Sequence, residues 1–285
     1  MKILVTGGAG FVGTNLIKRL VKDGHEVISL DNYCTGFKSN HQGGCQYFDI
    51  DVTDSFDLHS VLLNIDIDII YHLAALARIQ PSIKNPTPAI RNNFDSTLNI
   101  LEWARKNEKP IVFAGSSSFH HGLWGSPYAW SKHAGEQLCE LYNKVYGLQS
   151  VTCRFYNVYG PHQLESGTYA TVIGIFEKQY REGRALTVTG NGEQRRDFTH
   201  IDDIVDGLIR CGDNIETVNG EIFELGRGVN HSIIEITEMF GETEVEYIPP
   251  RPGEYDMTLA DYSKANKILG WKPTKNLPDY IKEVI

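Results

Sequence analysis

The sequence predicts an α/β fold, in which a doubly wound parallel sheet is followed by a smaller C-terminal α+β lobe. Two observations predict it. Short β-branched runs alternate with helical segments through the first half of the 285-residue chain, as expected of parallel strands joined by crossover helices. The first run leads directly into a glycine-rich turn that opens a helix, an arrangement typical of dinucleotide-binding domains.

The elements of the first half follow from their residue patterns. Strands are predicted where β-branched residues cluster, and helices where apolar residues recur at helical spacing. The run from Ile67 to Tyr71 is almost continuously apolar, which fits a strand buried on both faces of the sheet. In chain order, the predicted elements are strand Lys2–Thr6, helix Phe11–Lys22, strand Glu26–Leu30, strand Cys45–Ile50, helix Asp57–Asn64, strand Asp68–Leu73, helix Thr87–Lys106, strand Ile111–Ala114, helix Tyr128–Tyr146 and strand Ser150–Phe155.

After Asn157 the pattern loosens, because glycine and proline punctuate the chain more often. Helices are predicted at Thr171–Arg181, Ile201–Cys211, Ser232–Phe240 and Ser263–Leu269. We therefore expect a dinucleotide-binding domain over residues 1–160 and a smaller lobe over residues 161–285. The two are expected to interleave, with a segment near residues 197–230 returning to the first domain.

Composition narrows the classes of partner. The formal net charge of −9 argues against nucleic acid and anionic membranes, since both need a basic surface. The five cysteines include no CxxC pair, so we expect reduced thiols, and no metal site is predicted. We expect no signal peptide, because the sequence runs directly into the first strand, and no apolar run approaches the ~20 residues of a membrane span. The expected location is the cytoplasm.

The glycine turn and the end of the second strand predict the cofactor. Gly7, Gly10 and Gly13 give the spacing GxxGxxG, which allows a tight turn and a close approach of the backbone to a pyrophosphate. Asp31, followed by Asn32, ends the second strand, where its carboxylate can accept hydrogen bonds from ribose hydroxyls and would repel a 2′-phosphate. The alternative for Asp31 is a turn-forming residue. After the glycine turn, the sequence favours NAD over NADP.

Two further patterns predict acid/base chemistry. Tyr128 and Lys132 form YxxxK near the start of a helix and share one helix face, where an ammonium can lower the pKa of a phenol. Ser116–Ser118 ends the preceding strand, in position to share the proton of a substrate alcohol. Alone, these patterns also fit an amphipathic helix pair and a helix cap or loop. Their order along the chain favours a catalytic site.

With these motifs, the sequence resembles the extended short-chain dehydrogenase/reductases, in particular the nucleotide-sugar epimerase/dehydratase group that includes UDP-glucose 4-epimerase. The resemblance covers nearly the whole chain. It implies a Rossmann domain, NAD, a nucleotide-diphosphate sugar as substrate, and a homodimer. Further segments that carry it are His72–Ala75, Asn93, Ser96–Thr97, Arg154–Pro161, Gly190–Phe198 and Arg251–Glu254.

The resemblance also implies roles for single residues. Ser117 takes the catalytic hydroxyl position, beside Tyr128 and Lys132. Asp51 and Val52 flank the adenine, with Asp49-Ile50 as the other possible register. The residues implied along the cofactor are Gly7, Gly10, Phe11, Val12, Gly13, Asp31, Asn32, Asp51, Val52, Leu73, Ala74, Ala75, Asn93, Tyr128, Lys132 and Phe155.

The substrate residues implied by the resemblance are Ser117 and Tyr128 at the sugar, with Asn157, Arg196 and Arg251 holding the diphosphate. Arginine suits a diphosphate because its planar fork binds in a bidentate manner. For Arg196, the alternative is an ion pair with Asp197 or a surface charge.

The sequence departs from the family pattern in the loop before the catalytic tyrosine. Only Leu123–Pro127 separates Gly122 from Tyr128, where the family usually has a dozen or more residues bordering the sugar. The identity of the sugar therefore does not follow from the resemblance. His120 and His121 either donate to a sugar hydroxyl or are ordinary loop residues.

A second departure concerns the reaction. Ser118-Phe119 follows Ser117, where related 4,6-dehydratases have an Asp-Glu pair and related decarboxylases have a Glu. Without that carboxylate, we expect epimerisation at one carbon, C4, through a transient 4-keto sugar. The alternatives are a nucleotide-sugar reductase or dehydrogenase, then a 4,6-dehydratase, and more remotely a non-catalytic NAD-binding regulatory protein.

The homodimer implied by the resemblance is a four-helix bundle across a two-fold axis. It would use helices Thr87–Lys106 and Tyr128–Tyr146. The alternative is that the apolar residues of both helices pack only on their own sheet. Those residues are Leu98, Leu101, Trp103, Leu138, Leu141, Tyr142 and Val145.

Overall fold

The computed structural model describes residues 1–285, apart from the side chain of His121. Strands occur along most of the chain, and those of the first half are nearly all buried. In chain order they are β1 Lys2–Thr6, β2 Glu26–Asp31, β3 Cys45–Asp49, β4 Ile69–His72, β5 Ile111–Ser116, β6 Ser150–Phe155, β7 Val158–Tyr159, β8 Leu186–Thr189, β9 Arg195–Asp197, β10 Thr199–His200, β11 Ile222–Leu225, β12 Asn230–Ser232 and β13 Val245–Ile248.

Seven parallel strands form the central sheet, in the order β11-β6-β5-β4-β1-β2-β3. The chain builds outward from β1 to β3 on one side, then returns to β4 and builds outward on the other. β1 pairs with both β2 and β4, so that Val5 lies opposite Ser29 and Tyr71. This reversal beside β1 opens a crevice at the carboxyl ends of the strands. The predicted doubly wound parallel sheet is confirmed.

Helices cover both faces of the sheet and much of the remaining chain. Helix α1 has the predicted bounds. The first long helix extends one residue beyond its predicted bounds at each end, and the second begins one residue earlier than predicted. The helices are α1 Phe11–Lys22, α2 Ser55–Leu62, α3 Ile79–Lys84, α4 Pro86–Asn107, α5 Pro127–Tyr146, α6 Val172–Arg181, α7 Ile201–Asp213, α8 Ile233–Met239, α9 Ser263–Leu269 and α10 Leu277–Val284.

Three apolar cores hold the layers together. On one face of the sheet, α1 and α7 pack around residues such as Leu16 and Leu208. On the other face, α2, α4 and α5 pack around residues such as Leu58 and Trp103. The third core lies in the C-terminal lobe and includes Phe176. Since burial of apolar surface is the main favourable term in folding, both layers of helices are fixed to one sheet.

The C-terminal lobe uses three short strand pairs. β10 pairs with β7 and β13 with β8, both in parallel, and β12 pairs with β9 in an antiparallel manner. The lobe does not close on itself, because β11 lies beside β6 at the edge of the central sheet. The division of the chain near residue 160 remains a prediction.

Helix α3 was not predicted from the sequence. Its third residue is Pro81, and proline within an apolar stretch usually signals a helix boundary. In the first turn of a helix, however, the backbone N–H has no partner within the helix, so proline is tolerated there. In the part of the chain that the structure describes, no helix is both long and apolar enough to cross a bilayer.

One buried carboxylate joins separate parts of the C-terminal half. Asp197, at the end of β9, has no exposed surface. Its Oδ1 accepts a hydrogen bond from the backbone N–H of Arg227 at 2.8 Å, and its Oδ2 accepts from Gly228 at 2.8 Å and from Ala260 at 3.0 Å. A carboxylate that accepts several backbone N–H groups satisfies donors that would otherwise be buried and unpaired. It therefore fixes β9 against the segments after β11 and before α9.

We expect Asp197→Asn to lower the free energy of unfolding by about 2–3 kcal/mol, because the amide presents N–H donors to backbone N–H donors. Urea denaturation followed by circular dichroism measures the change. The matched control is Asp206→Asn on α7, which removes a partly exposed ion pair with Arg210 and should cost about 1 kcal/mol or less. Equal losses for the two variants would contradict a special role for the Asp197 carboxylate.

Candidate active site

A cavity of about 520 Å³ lies at the carboxyl ends of the central strands and continues to the C-terminal lobe. It runs from the glycine turn, past the start of α5, to the segment around Arg251. Most residues predicted for the site lie in its wall. They are Gly7, Gly10, Phe11, Val12, Gly13, Asp31, Asn32, Asp51, Val52, Leu73, Ala74, Ala75, Ser117, Tyr128, Phe155, Asn157, Arg196 and Arg251.

Asn93 and Lys132, two residues predicted to contact the cofactor, are buried instead behind the described wall of the cavity. Asn93 accepts a hydrogen bond from the backbone N–H of Leu76 at 2.7 Å and donates one to the Ser131 hydroxyl at 2.9 Å. It thereby holds the loop after β4 against α5. The ammonium of Lys132 lies 4.7 Å from the ring centroid of Phe113.

The glycine turn brings two backbone segments together at the start of α1. A Cβ on Gly7 would lie 2.9 Å from the Ala74 backbone, and one on Gly13 would lie 2.2 Å from the carbonyl oxygen of Gly7. Real Cβ contacts are never this short, so both positions require glycine. A backbone free of side chains at a helix N-terminus fits the pyrophosphate of a dinucleotide.

A buried polar network holds this turn against the loop after β4. The Thr6 hydroxyl lies 2.7 Å from Nδ1 of His72 and accepts from the backbone N–H groups of Leu73 and Ala74, each at 3.2 Å. Nε2 of His72 lies 3.2 Å from the Thr97 hydroxyl. Burial lowers the pKa of His72 to about 3, so the ring is neutral at pH 7. Sequence reasoning placed His72 only in a family segment, and its bonding to Thr6 was not foreseen.

The end of β2 supplies the polar groups of the adenosine end. Asp31 accepts hydrogen bonds from the backbone N–H groups of Ala9 at 2.9 Å and Tyr33 at 2.8 Å, and burial raises its pKa. Asn32 donates to the Asp51 carboxylate at 3.0 Å. The structure places Ile50, Asp51 and Val52 in the cavity wall, so residues of both possible registers line the cavity and the choice between them remains a prediction.

Tyr128 lines the cavity from the first turn of α5. Ser126 caps this helix by accepting a hydrogen bond from Ala129 N–H at 3.1 Å. Tyr128 donates to the Ser116 hydroxyl at 3.3 Å. Ser117, the hydroxyl expected from the resemblance, lines the same cavity. The serine bonded to the phenol is therefore one residue earlier than expected.

The electrostatics of the phenol also differ from the expectation. Burial raises the pKa of Tyr128, while the hydrogen bond to Ser116 and the charge of Arg78 lower it. Burial lowers the pKa of Lys132 to about 8, against the opposing effect of the Glu136 carboxylate. The cation acting on the phenol is thus Arg78, whereas the YxxxK spacing led us to expect Lys132. Arg78 was not singled out from the sequence.

Phe119 occupies the sequence position at which related dehydratases and decarboxylases have a carboxylate. Its side chain packs away from the cavity. Its ring lies 3.6 Å from the guanidinium carbon of Arg154. Arg154 in turn pairs with the buried Glu136 carboxylate at 2.7 Å. Among the described residues of the cavity wall, the carboxylates are Asp31 and Asp51 at the adenosine end and Glu254 beside the C-terminal lobe. None is adjacent in sequence to the serine run or to Tyr128.

The two loop histidines were expected either to contact a sugar or to be ordinary loop residues. His120 hydrogen-bonds the carboxylate of Glu224 on β11. That carboxylate also accepts from the Tyr156 hydroxyl at 2.8 Å. The His120 interaction therefore joins the loop to the sheet. The side chain of His121 lies outside the described residues.

The predicted diphosphate residues lie at the far end of the cavity. Asn157 donates to the carbonyl oxygen of Asp197 at 3.0 Å and to the Thr258 hydroxyl at 3.2 Å. Burial lowers the pKa of Arg196, and the charge of Glu254 raises it. The carboxylate of Asp197 is taken up by backbone N–H groups, so the alternative of an Arg196–Asp197 ion pair is wrong.

The chain matches the family described as "NAD dependent epimerase/dehydratase family" over residues 3–226. Among curated proteins, it is 34% identical over 304 residues to a putative UDP-glucose 4-epimerase from Methanocaldococcus jannaschii, covering 99% of this chain and 97% of that protein. It is also 35% identical over 257 residues to a UDP-N-acetyl-alpha-D-glucosaminuronate decarboxylase from Bacillus cytotoxicus, covering 83% of this chain and 78% of that protein.

Among solved structures, the fold is similar to a UDP-glucuronic acid 4-epimerase from Bacillus cereus in complex with UDP-glucuronic acid and NAD. The TM-score is 0.90 and the sequence identity 31%, covering 99% of this chain and 97% of that one. The similarity in fold therefore extends over nearly the whole chain.

Proposed function

We propose that this chain, which belongs to the NAD-dependent epimerase/dehydratase family and uses NAD as its cofactor, epimerises a UDP-linked sugar at C4 through a transient 4-keto sugar. The observation that carries the proposal is the content of one cavity. Its wall includes a glycine turn suited to a dinucleotide, the phenol of Tyr128 bonded to Ser116, and two arginines, Arg196 and Arg251. We propose UDP as the nucleotide because the similar proteins are named as enzymes of UDP-linked sugars.

In this proposal, the phenolate form of Tyr128 takes the proton from the C4 hydroxyl and returns it to the C4 oxygen when the keto sugar is reduced. Ser116 and Ser117 are the hydroxyls that hold the C4 oxygen, and the bond from Tyr128 to Ser116 keeps the phenol at that place. Bound NAD supplies the acceptor for the C4 hydride, which returns to the other face of the keto sugar. The glycine turn, Asp31 and Asn32 would hold NAD. Lys132, predicted to hold the nicotinamide ribose, is buried behind the described wall of the cavity. Arg196 and Arg251 hold the diphosphate.

The position of Phe119 supports epimerisation over the other reactions of the family. Elimination of water needs an acid or base near the carbon next to the ketone. Phe119 stacks on Arg154 instead of entering the cavity. A nucleotide-sugar reductase or dehydrogenase remains the alternative, and it differs by exchanging its cofactor in each turnover.

We also propose that the chain forms a homodimer through α4 and α5. On α5, Leu141 is 49% exposed, Val145 is 61% exposed and Tyr146 is 55% exposed. Exposure of three neighbouring apolar side chains on one helix to water is unfavourable. Part of the expected surface is excluded, because Leu101, Trp103 and Tyr142 are buried in the chain's own core.

The product identifies the reaction. We expect the enzyme, incubated with its best-binding member of a panel of UDP-, GDP-, dTDP- and ADP-linked sugars, to give an epimer. Mass spectrometry should show an unchanged mass, and NMR an inverted coupling pattern at C4. A product lighter by water or by carbon dioxide would contradict epimerisation, as would reduced cofactor formed in proportion to substrate.

Loss of the phenol should stop turnover. We expect Tyr128→Phe to lower kcat by about 10²- to 10⁴-fold, the usual contribution of a general acid/base, while the NAD content of the purified protein stays unchanged. The control is Tyr142→Phe on the same helix, which removes a hydroxyl bonded to Glu102 at 3.3 Å and should change kcat by about twofold or less.

A rate for Tyr128→Phe near that of the unmodified enzyme would show that another group is the base. The single variants Ser116→Ala and Ser117→Ala, assayed side by side, then show how much each hydroxyl contributes to kcat. We expect the larger loss of kcat from the serine that holds the C4 oxygen.

Charge on the exposed face of α5 should separate the dimer. We expect Leu141→Glu combined with Val145→Glu to sediment as a monomer at micromolar concentration, because association would bury both carboxylates. The control is Phe56→Glu on α2, a side chain that is 77% exposed, which should remain dimeric. Sedimentation of the unmodified chain as a monomer would rule the dimer out.

A further inference from the structure

Arg78 is a partly buried cation in the wall of the cavity, in the loop between β4 and α3. Its Nε donates to the carbonyl oxygen of Tyr169 at 3.0 Å, and its Nη1 donates to the carbonyl oxygen of Ala77 at 3.2 Å. These bonds hold the side chain in place. A guanidinium has five N–H donors, so these two bonds leave further donors for other partners.

Arg78 differs from two other arginines in having no carboxylate partner among the described residues. Arg154 pairs with Glu136, and Arg195 pairs with Glu235 at 2.6 Å. Among the described residues, no carboxylate lies within ion-pair distance of Arg78. A partly desolvated charge is costly unless it is paired, so a cation held in a cavity wall indicates an anion on the ligand.

The position of Arg78 indicates which part of the ligand carries that anion. Arg78 immediately precedes α3, where the Ser82 hydroxyl accepts a hydrogen bond from the backbone N–H of Tyr128 at 3.2 Å. Arg78 and Tyr128 also line the same cavity, so the guanidinium lies on the side of the cavity that holds the proposed acid/base. The pyrophosphate of the cofactor is assigned to the glycine turn, and the diphosphate of the substrate to Arg196 and Arg251. The charged group therefore belongs to the sugar. In a hexuronic acid, the carboxylate is attached to C5, the carbon next to the reacting C4.

We propose that Arg78 binds a carboxylate on the sugar, and that the substrate is a UDP-linked uronic acid. The planar fork of a guanidinium matches the two oxygens of a carboxylate. This inference rests on the proposed function for the identity of the cavity, and it adds the chemical class of the sugar.

The test compares two ligands that differ at one carbon. UDP-glucuronate and UDP-glucose are titrated by calorimetry into the NAD-loaded enzyme. We expect UDP-glucuronate to bind at least about tenfold more tightly, in keeping with the strength of hydrogen bonds to charged groups. Arg78→Gln should weaken binding of UDP-glucuronate by about 10- to 100-fold and that of UDP-glucose by less than about threefold. Arg78→Lys should restore part of the loss.

The matched control is Arg91→Gln, which removes an exposed arginine on α4 and should leave the affinity for both ligands unchanged. Thermal unfolding of each variant establishes that it is folded before titration. If Arg78→Gln does not fold, Arg78→Lys and the preference of the unmodified enzyme still test the proposal.

Several results would overturn the inference. Equal losses for both ligands would mean that Arg78 serves only the phenol or the loop around Tyr169. Loss of NAD from Arg78→Gln would assign the guanidinium to the cofactor. Preference of the unmodified enzyme for UDP-glucose, with epimerisation of that sugar, would overturn the inference and leave the proposed function intact. Tight binding of UDP-glucuronate that depends on Arg78, with no epimer formed, would support the inference about Arg78 and overturn the proposed function.

Discussion

The carboxylate of Asp197 is the interaction on which the second half of the cavity depends. Its oxygens accept backbone N–H groups from two segments that are more than 30 residues apart in sequence. Arg196 precedes it in β9, and the carbonyl oxygen of Asp197 accepts a hydrogen bond from Asn157. Two of the residues proposed to hold the substrate diphosphate are thus placed by a residue that is fully buried and is not among the described residues of the cavity wall.

The central sheet constrains the other half in a similar way. Because the chain reverses direction beside β1, the loops after β1 and β4 meet, and the Thr6–His72 bond fixes their separation. The network is closed and neutral, since burial keeps His72 unprotonated. This half of the cavity is therefore held by neutral hydrogen bonds, whereas the other half is held by the buried carboxylate of Asp197.

Much of the fold followed from the sequence, because its determinants are local. Helix α1 begins after the glycine turn and was predicted with its observed bounds. Helix α3 was missed because Pro81 in its first turn resembles a boundary. Strand β11 was missed because its place beside β6 depends on a pairing about 70 residues apart, which no local pattern encodes.

The site residues that belong to a sequence motif were predictable. Those whose role depends on the direction of one side chain were not. Tyr128 and the glycine turn follow from spacing, and both line the cavity. The choice between Ser116 and Ser117 depends on how the chain leaves β5, since neighbouring residues at a strand end point to opposite sides. Arg78 belongs to no spacing pattern, and only the folded chain brings its charge to Tyr128.

The close contacts of the glycine turn determine which substitutions this protein can tolerate there. At Gly8, an added Cβ would meet the side chains of Ser29 and Ile17, which smaller residues can replace. At Gly7 and Gly13, it would meet main-chain atoms, which no substitution elsewhere removes. A second substitution can therefore compensate for replacement of Gly8, but not for replacement of Gly7 or Gly13. Neighbouring positions of one turn thus differ in the substitutions that evolution can accept.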